Sequence, residues 1–231
     1  MKVKICGLTN VADAELVGRA GADYVGAVLV PGTPRVVRPE TARAISEAAG
    51  LPLVIVVADL SAEDVVRAAS AAGAQGIQLH GNETEELMAQ LRSEGDWDLW
   101  KVARVRSALD IEEAAERYGG VADALLLDAW HPDQMGGTGT SFAWDLLERL
   151  RTRLPEGLLV GVAGGLDPGN VREAVLRMRP HMVDVSSGVE RSRGHKDPDR
   201  VRDFIRAARD AWDEVRRDDP RPNDTNESRS R

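Results

Sequence analysis

A single thiol, one aspartate and two glycine-containing turns are the residues of this sequence whose types and placing suit chemistry. Cys6 closes the short apolar run Val3–Ile5. A thiol works as nucleophile or base only when ionised, and an ordinary one is about 3% ionised at neutral pH. A nearby cation or helix N-terminus that lowered its pKa by one unit would raise that share to roughly a quarter. The other reading of a lone cysteine is a small buried apolar side chain. Asp128 ends the run Leu125–Leu127. To donate a proton near neutrality it needs a raised pKa, from burial or an adjacent anion; otherwise it is an aspartate that caps the next loop.

Ala163-Gly164-Gly165 and Ser186-Ser187-Gly188 each follow an apolar run. Glycines let backbone N–H groups approach an anion closely, and serine hydroxyls add donors, so the pair reads as a phosphate cradle. Each alone is also an ordinary tight turn. Arg35 follows Pro31-Gly32-Thr33-Pro34 and offers a planar guanidinium able to grip a carboxylate with two hydrogen bonds, unless it is a solvated surface charge. His80, in Gln78-Leu79-His80-Gly81, is an acid–base candidate or a structural histidine. Gly137 lies in the glycine-rich stretch Met135–Gly139. His131, His181 and His195 have no metal-ligand spacing, and no metal is expected.

Eight short apolar runs must carry these residues: 3–6, 23–29, 53–58, 76–79, 98–103, 123–128, 158–163 and 182–187. Several are rich in β-branched residues, as strands buried on both faces are. Amphipathic helical patterns alternate with them at 11–20, 39–49, 62–72, 84–94, 109–117, 143–153, 168–178 and 197–215. Ser61 before Glu63-Asp64, and Asp167 before Pro168, read as helix starts, the second with proline at the first helical position. Gly21, Gly50 and Gly73 fall where helices should stop. Eight repeats predict a closed α/β barrel, a single (β/α)8 TIM barrel, rather than an open sheet. The first turn, Cys6-Gly7-Leu8-Thr9-Asn10, also lacks the G-x-G-x-x-G of a dinucleotide-binding sheet. In such a barrel the functional groups gather at the C-terminal strand ends, where each candidate above falls.

The chain has 231 residues, 42% of them hydrophobic, enough for one large core. The predicted barrel spans 1–216, and the charged, Pro- and Asn-containing stretch 217–231 is read as a disordered tail. A net charge of -8 and 4% aromatic residues argue against nucleic acid as a partner. One cysteine allows no internal disulfide and suits a reducing compartment; no signal peptide or membrane span is legible. A cytoplasmic protein with a small-molecule partner is expected.

The motifs KICGLT (4–9), GTPR (32–35), QLHG (78–81), LLDA (126–129), GGTG (136–139), AGGL (163–166) and VDVSSGVE (183–190) resemble those of the phosphoribosylanthranilate isomerases of tryptophan biosynthesis, in order and one per loop. The resemblance implies an Amadori rearrangement that needs no cofactor, in a monomer or homodimer. It implies Asp128 as general acid, Cys6 as general base, Arg35 against the anthranilate moiety, and Gly164, Gly165, Ser187 and Gly188 around the phosphate. His80 and Gly137 are further substrate-binding candidates. The sequence departs from the usual family pattern in strand 2, which lacks phenylalanine (Gly26-Ala27-Val28-Leu29), at Val36 in place of an aromatic, and in VVADL (56–60), which lacks Phe and Asn. These changes bear on selectivity for the aromatic ring. The alternatives are a related barrel acting on another phosphorylated sugar derivative, the sister isomerase of histidine biosynthesis and a non-catalytic sugar-phosphate binder. Cys6 speaks against the sister isomerase, which carries aspartate there; retention of both Cys6 and Asp128 speaks against the binder.

Overall fold

The computed structural model describes residues 1–128, 155 and 157–218. The predicted helix at 143–153 and Gly137 lie outside the described residues. Eight parallel strands close into a barrel in sequence order: β1 (Lys2–Ile5), β2 (Tyr24–Val28), β3 (Leu53–Val57), β4 (Gly76–Leu79), β5 (Asp98–Arg104), β6 (Ala124–Asp128), β7 (Leu159–Ala163) and β8 (Met182–Val185). β1 pairs with β8 in the register Lys4↔Asp184, which shuts the ring.

The helices start and stop where the local chemistry dictates. α1 (Val11–Ala20), α3 (Ala62–Ala72), α4 (Glu85–Glu94) and α5 (Ala108–Tyr118) begin after Asn10, Ser61, Thr84 and Ser107. Each of those side chains accepts a hydrogen bond from a first-turn N–H that has no partner within its helix. α1, α2 (Pro39–Ala49) and α3 end on Gly21, Gly50 and Gly73, all left-handed. The helix after β7, α6 (Val171–Met178), starts later than predicted. Asp167 instead caps a turn, its Oδ1 accepting from the N–H groups of Gly169 and Asn170, so Pro168 is not at a helix start. α7 (Pro198–Asp218) runs past its predicted end at 215, so Arg217 and Asp218 belong to it.

Side chains alternate along each strand, and the even-numbered residues of β1 to β6 and of β8 face inward. The lower barrel is apolar: Trp100, Val54, Met182 and Leu126 pack with Tyr24, whose ring meets Trp100 edge-on at 5.2 Å. The odd-numbered face of β3, Leu53, Ile55 and Val57, packs outward against the helices. Above the apolar floor the interior turns polar, with buried Lys4, Gln78 and Asp184. Above that layer is the mouth.

Candidate active site

A cavity of about 420 Å³ opens at the C-terminal ends of the strands. Cys6, Arg35, His80, Asp128, Gly164, Gly165 and Ser187 line it together, although they come from six different strand ends. Arg104 is a further lining residue.

Cys6 is buried directly after β1. Burial pushes its thiol up from the ordinary value, and the nearby Asp184 charge adds to that; Lys4 and Lys196 pull in the opposite direction without prevailing. In the ligand-free site the lowering that a nearby cation could bring is not realised, because loss of solvent outweighs the two cations. Space for the sulfur comes from β2. A Cβ at Gly26 would stand 2.8 Å from Cys6 Sγ and 2.9 Å from Lys4 Cε.

Asp128 ends β6 with its side chain 21% exposed, and His80 Nε2 lies 3.6 Å from its Oδ2. The His80 ring has a definite hydrogen-bonding sense. Lys4 Nζ donates to Gln78 Oε1 at 2.8 Å, so the Gln78 amide nitrogen is the group facing His80 Nδ1 at 3.4 Å. An amide NH2 can only donate there, which leaves the ring proton on Nε2, toward Asp128.

Arg35 is not a loose surface charge. Its Nε and Nη2 donate to Glu190 Oε1 and Oε2 at 2.7 and 2.8 Å. The guanidinium passes over Gly7, where a Cβ would meet Arg35 Cδ at 2.5 Å. Glu190 also accepts from Lys196 Nζ at 3.1 Å. Burial alone would raise the Glu190 carboxyl, but the Arg35 and Lys196 hydrogen bonds and charges outweigh it and hold it below the usual range. Two cations share one carboxylate, so this wall of the cavity carries a surplus positive charge suited to an anionic group.

Glu190 and Lys196 lie on a feature the strand–helix reading missed, a hairpin of β9 (Glu190–Ser192) and β10 (His195–Lys196). Its turn contains Gly194, left-handed at φ 81°, and Arg193-Gly194 between two short polar runs was the available signal. The hairpin is tied to the first loop: Thr9 Oγ1 donates to Gly194 O at 2.6 Å, and the Lys196 N–H donates to Asp13 Oδ2 at 2.9 Å.

The two glycine turns differ in what they require. Gly164 and Gly165 have φ of 80° and 64°, a conformation that side-chain-bearing residues rarely adopt. Asn170 braces their loop, donating to Gly165 O at 2.9 Å and accepting from the Asp167 N–H at 2.8 Å. Gly188 is needed for proximity: a Cβ there would stand 1.9 Å from Leu166 O, so the loops after β7 and β8 touch backbone to backbone. Gly188 belongs to a short 3-10 turn, Ser187–Val189, and is not itself among the lining residues. A second buried pair missed by sequence reasoning, Glu83 and Lys101 at 3.0 Å, fixes the loop after His80, with Glu83 also accepting from the N–H groups of Gly81 and Asp59.

Where aromatics were absent, the wall is aliphatic. Val28, Val30, Val56 and Ala58 line the cavity, while Val36 bridges to Val28 and turns its side chain outward, 45% exposed.

The family model described as N-(5'-phosphoribosyl)anthranilate (PRA) isomerase matches residues 3–207. An N-(5'-phosphoribosyl)anthranilate isomerase of Rubrobacter xylanophilus is 44% identical over 210 residues, 90% of this chain and 98% of the relative. The Trichlorobacter lovleyi protein of the same name is 40% identical, covering 91% and 99%. Among solved structures, phosphoribosyl anthranilate isomerase of Thermotoga maritima superposes with a TM-score of 0.81 at 37% identity, covering 91% of this chain and 99% of that one. Another, solved in complex with reduced 1-(o-carboxyphenylamino)-1-deoxyribulose 5-phosphate, gives 0.78 at 34% identity over 91% and 99%.

Proposed function

The chain belongs to the N-(5'-phosphoribosyl)anthranilate isomerase family, and we propose that Cys6 and Asp128 carry out its reaction from two walls of one cavity. The reaction turns N-(5'-phosphoribosyl)anthranilate into 1-(2-carboxyphenylamino)-1-deoxyribulose 5-phosphate, an aldose-to-ketose isomerisation. The observation that carries the residue assignment is the convergence of the only thiol, an aspartate, an anchored arginine and two glycine-containing turns on that cavity.

Asp128 protonates the ring oxygen, and the C1–O bond breaks as the nitrogen lone pair moves to C1, leaving a protonated Schiff base. The Cys6 thiolate takes the proton from C2, the electron pair forms the C1–C2 double bond, and the enolamine tautomerises to the ketone. One proton is given and one taken, so no redox partner is needed. The His80 N–H stands beside the acid, where it favours the carboxylate left after donation. Arg35, clamped by Glu190, holds the anthranilate carboxylate through the N–H groups that Glu190 leaves over. Gly164, Gly165 and Ser187 receive the phosphate, with Gly188 bringing the two loops together. The aliphatic wall of Val28, Val30, Val56 and Ala58 accepts the benzene ring by shape rather than by stacking.

A reduced lone thiol suits work in the cytoplasm. Among the described residues no helix is long and apolar enough to cross a membrane. A Thermotoga maritima relative is described both as dimeric and as generated monomers; sedimentation of this chain decides between the two states.

The test is decay of anthranilate-type fluorescence with freshly generated phosphoribosylanthranilate, run beside Cys6→Ala and Asp128→Asn. Fast decay that both variants abolish supports both roles. Turnover retained by either folded variant removes that residue from the mechanism.

A further inference from the structure

The mechanism leaves one costly group unused. Lys4 lies in the barrel interior one layer below Cys6, and its side chain is 0% exposed. Nζ donates to Asp184 Oδ2 at 2.9 Å and to Gln78 Oε1 at 2.8 Å, and the side chain neighbours the Cys6 sulfur, since a Cβ at Gly26 would stand 2.9 Å from Lys4 Cε and 2.8 Å from Cys6 Sγ. An ammonium has three donors, so these two partners leave a third for the sulfur beside it. A barrel interior is ordinarily filled by branched apolar side chains, and a buried charge costs stability even when paired. Packing alone therefore gives no reason for a lysine here.

We propose that Lys4 is a positioning residue for both ends of the acid–base pair: its ammonium fixes and stabilises the Cys6 sulfur as thiolate and, through Gln78, fixes the His80 ring beside Asp128. The inference rests on the catalytic assignment above. Four charged groups face the sulfur: Lys4 from β1, Asp184 from β8, Lys196 from β10 and Arg35 from the loop after β2. Of the three cations, Lys4 acts most strongly on the thiol. Burial by itself would pull Lys4 down, but Asp184 and then Cys6 outweigh it and hold the ammonium above its ordinary value. Asp184 Oδ1 is buried without a hydrogen-bond partner, so the carboxylate's second oxygen is not tied down elsewhere and its charge opposes ionisation of the thiol.

Opposite signs follow for the two members of the buried pair. Because Cys6 is the only cysteine, thiolate absorbance of the ligand-free protein, taken as the difference from Cys6→Ala to remove the two tyrosines, titrates this group alone, whether or not it is the catalytic base. Lys4→Met raises the titration midpoint by about one unit or more, leaving tenfold less thiolate at a fixed pH below it. Asp184→Asn lowers the midpoint, since it removes an opposing charge and the nearest competitor for the Lys4 ammonium. A midpoint that is unchanged or lower in folded Lys4→Met overturns the proposal. If that variant does not fold, Asp184→Asn decides: a fall supports the proposal and no fall overturns it. In turnover, Lys4→Met lowers kcat by tenfold or more with KM within about threefold of wild type; a change confined to KM counts against a positioning role. The second arm is read in ring-nitrogen NMR shifts. His80 carries its proton on Nε2 in the wild type and loses that preference in Gln78→Leu; indistinguishable spectra overturn this arm. Retained activity in Cys6→Ala would sink the base assignment and leave the titrations standing, so the two failures are separable.

Discussion

Replacing Gly26 by alanine drives one methyl group against the Cys6 sulfur, and the structure sets the size of the effect. The new Cβ would be 2.8 Å from Cys6 Sγ, 2.9 Å from Lys4 Cε and 3.0 Å from Cys6 Cα. Non-bonded carbon contacts settle near 3.5–4.0 Å, so β1 and β2 must separate or the sulfur must retreat by roughly 1 Å. Since one of the clashing atoms is backbone, rotating the thiol does not relieve the contact. A misplacement of that size costs on the order of 100-fold in the chemical step, about 2.7 kcal/mol of barrier. Overpacking adds about 1–3 kcal/mol of lost stability, which lowers the melting temperature by about 2–12 °C in a domain of this length. KM should stay near wild type, because Arg35 and the loops after β7 and β8 are untouched. Gly161→Ala is the control: the three atoms nearest its Cβ belong to the side chains of Leu126 and Met182, at 3.3 Å, and both can give way. It should lose about 1 kcal/mol and keep activity within a few-fold. Fluorescence-decay kinetics and thermal melts on both variants decide the matter. Full kcat in Gly26→Ala, or equal kcat losses in the two variants, would refute the argument that Gly26 exists to seat the thiol.

Other substitutions probe the anion contacts. Glu190→Gln frees Arg35 and leaves two cations facing each other, so KM should rise more than kcat falls, with about 3 kcal/mol of stability lost; a KM equal to wild type would show that Arg35 needs no clamp. Because the Glu190 carboxyl is held below its usual range, its stabilisation is present above the unfolded carboxylate range and lost as pH falls through the lowered value. Acid unfolding should thus be less steep in Glu190→Gln than in wild type, and superimposable profiles would contradict this. Gly188→Ala drives a methyl into Leu166 O and should raise KM about tenfold or more through the phosphate contacts, with inorganic phosphate losing potency as a competitive inhibitor in parallel. Asn170→Ala removes two loop braces and should cost about 1–3 kcal/mol, measured by urea unfolding; no change in midpoint would mean the loop holds itself.

The strand runs were legible because parallel strands buried on both faces write themselves as short apolar segments, and the even spacing of Lys4, Cys6, Gln78, His80, Leu126 and Asp128 follows from the two-residue period. Caps such as Asn10, Ser61 and Gly73 act through neighbours in sequence, so they too could be read. The clamp on Arg35 could not. Glu190 is distant in sequence from its partner, and nothing in Pro-x-x-Pro-Arg distinguishes a held guanidinium from a free one. The direction of the Cys6 shift was not readable for a similar reason: sequence names the cations but not how much water burial removes. The start of α6 was misplaced because Asp-Pro-Gly-Asn suits a capped turn as well as a helix N-terminus, and only the hydrogen bonds of Asp167 separate the two.

The pairing of the first strand with the last has a consequence for the timing of folding. Lys4 and Asp184 are 180 residues apart, and Glu190 and Lys196 lie later still. At ordinary elongation rates Cys6 leaves the ribosome roughly ten to forty seconds before Asp184 and Lys196. Throughout that interval the thiol lacks Asp184 and Lys196, two of the charges that act on it, and β1 has no neighbour on one side. Closure of the ring is thus a late, long-range step, of the kind that slows folding, and it creates the catalytic environment in the same event. Chains stalled before β8 should alkylate like a free cysteine, and completed chains slowly. Reactivity of Cys6 then serves as a clock for ring closure.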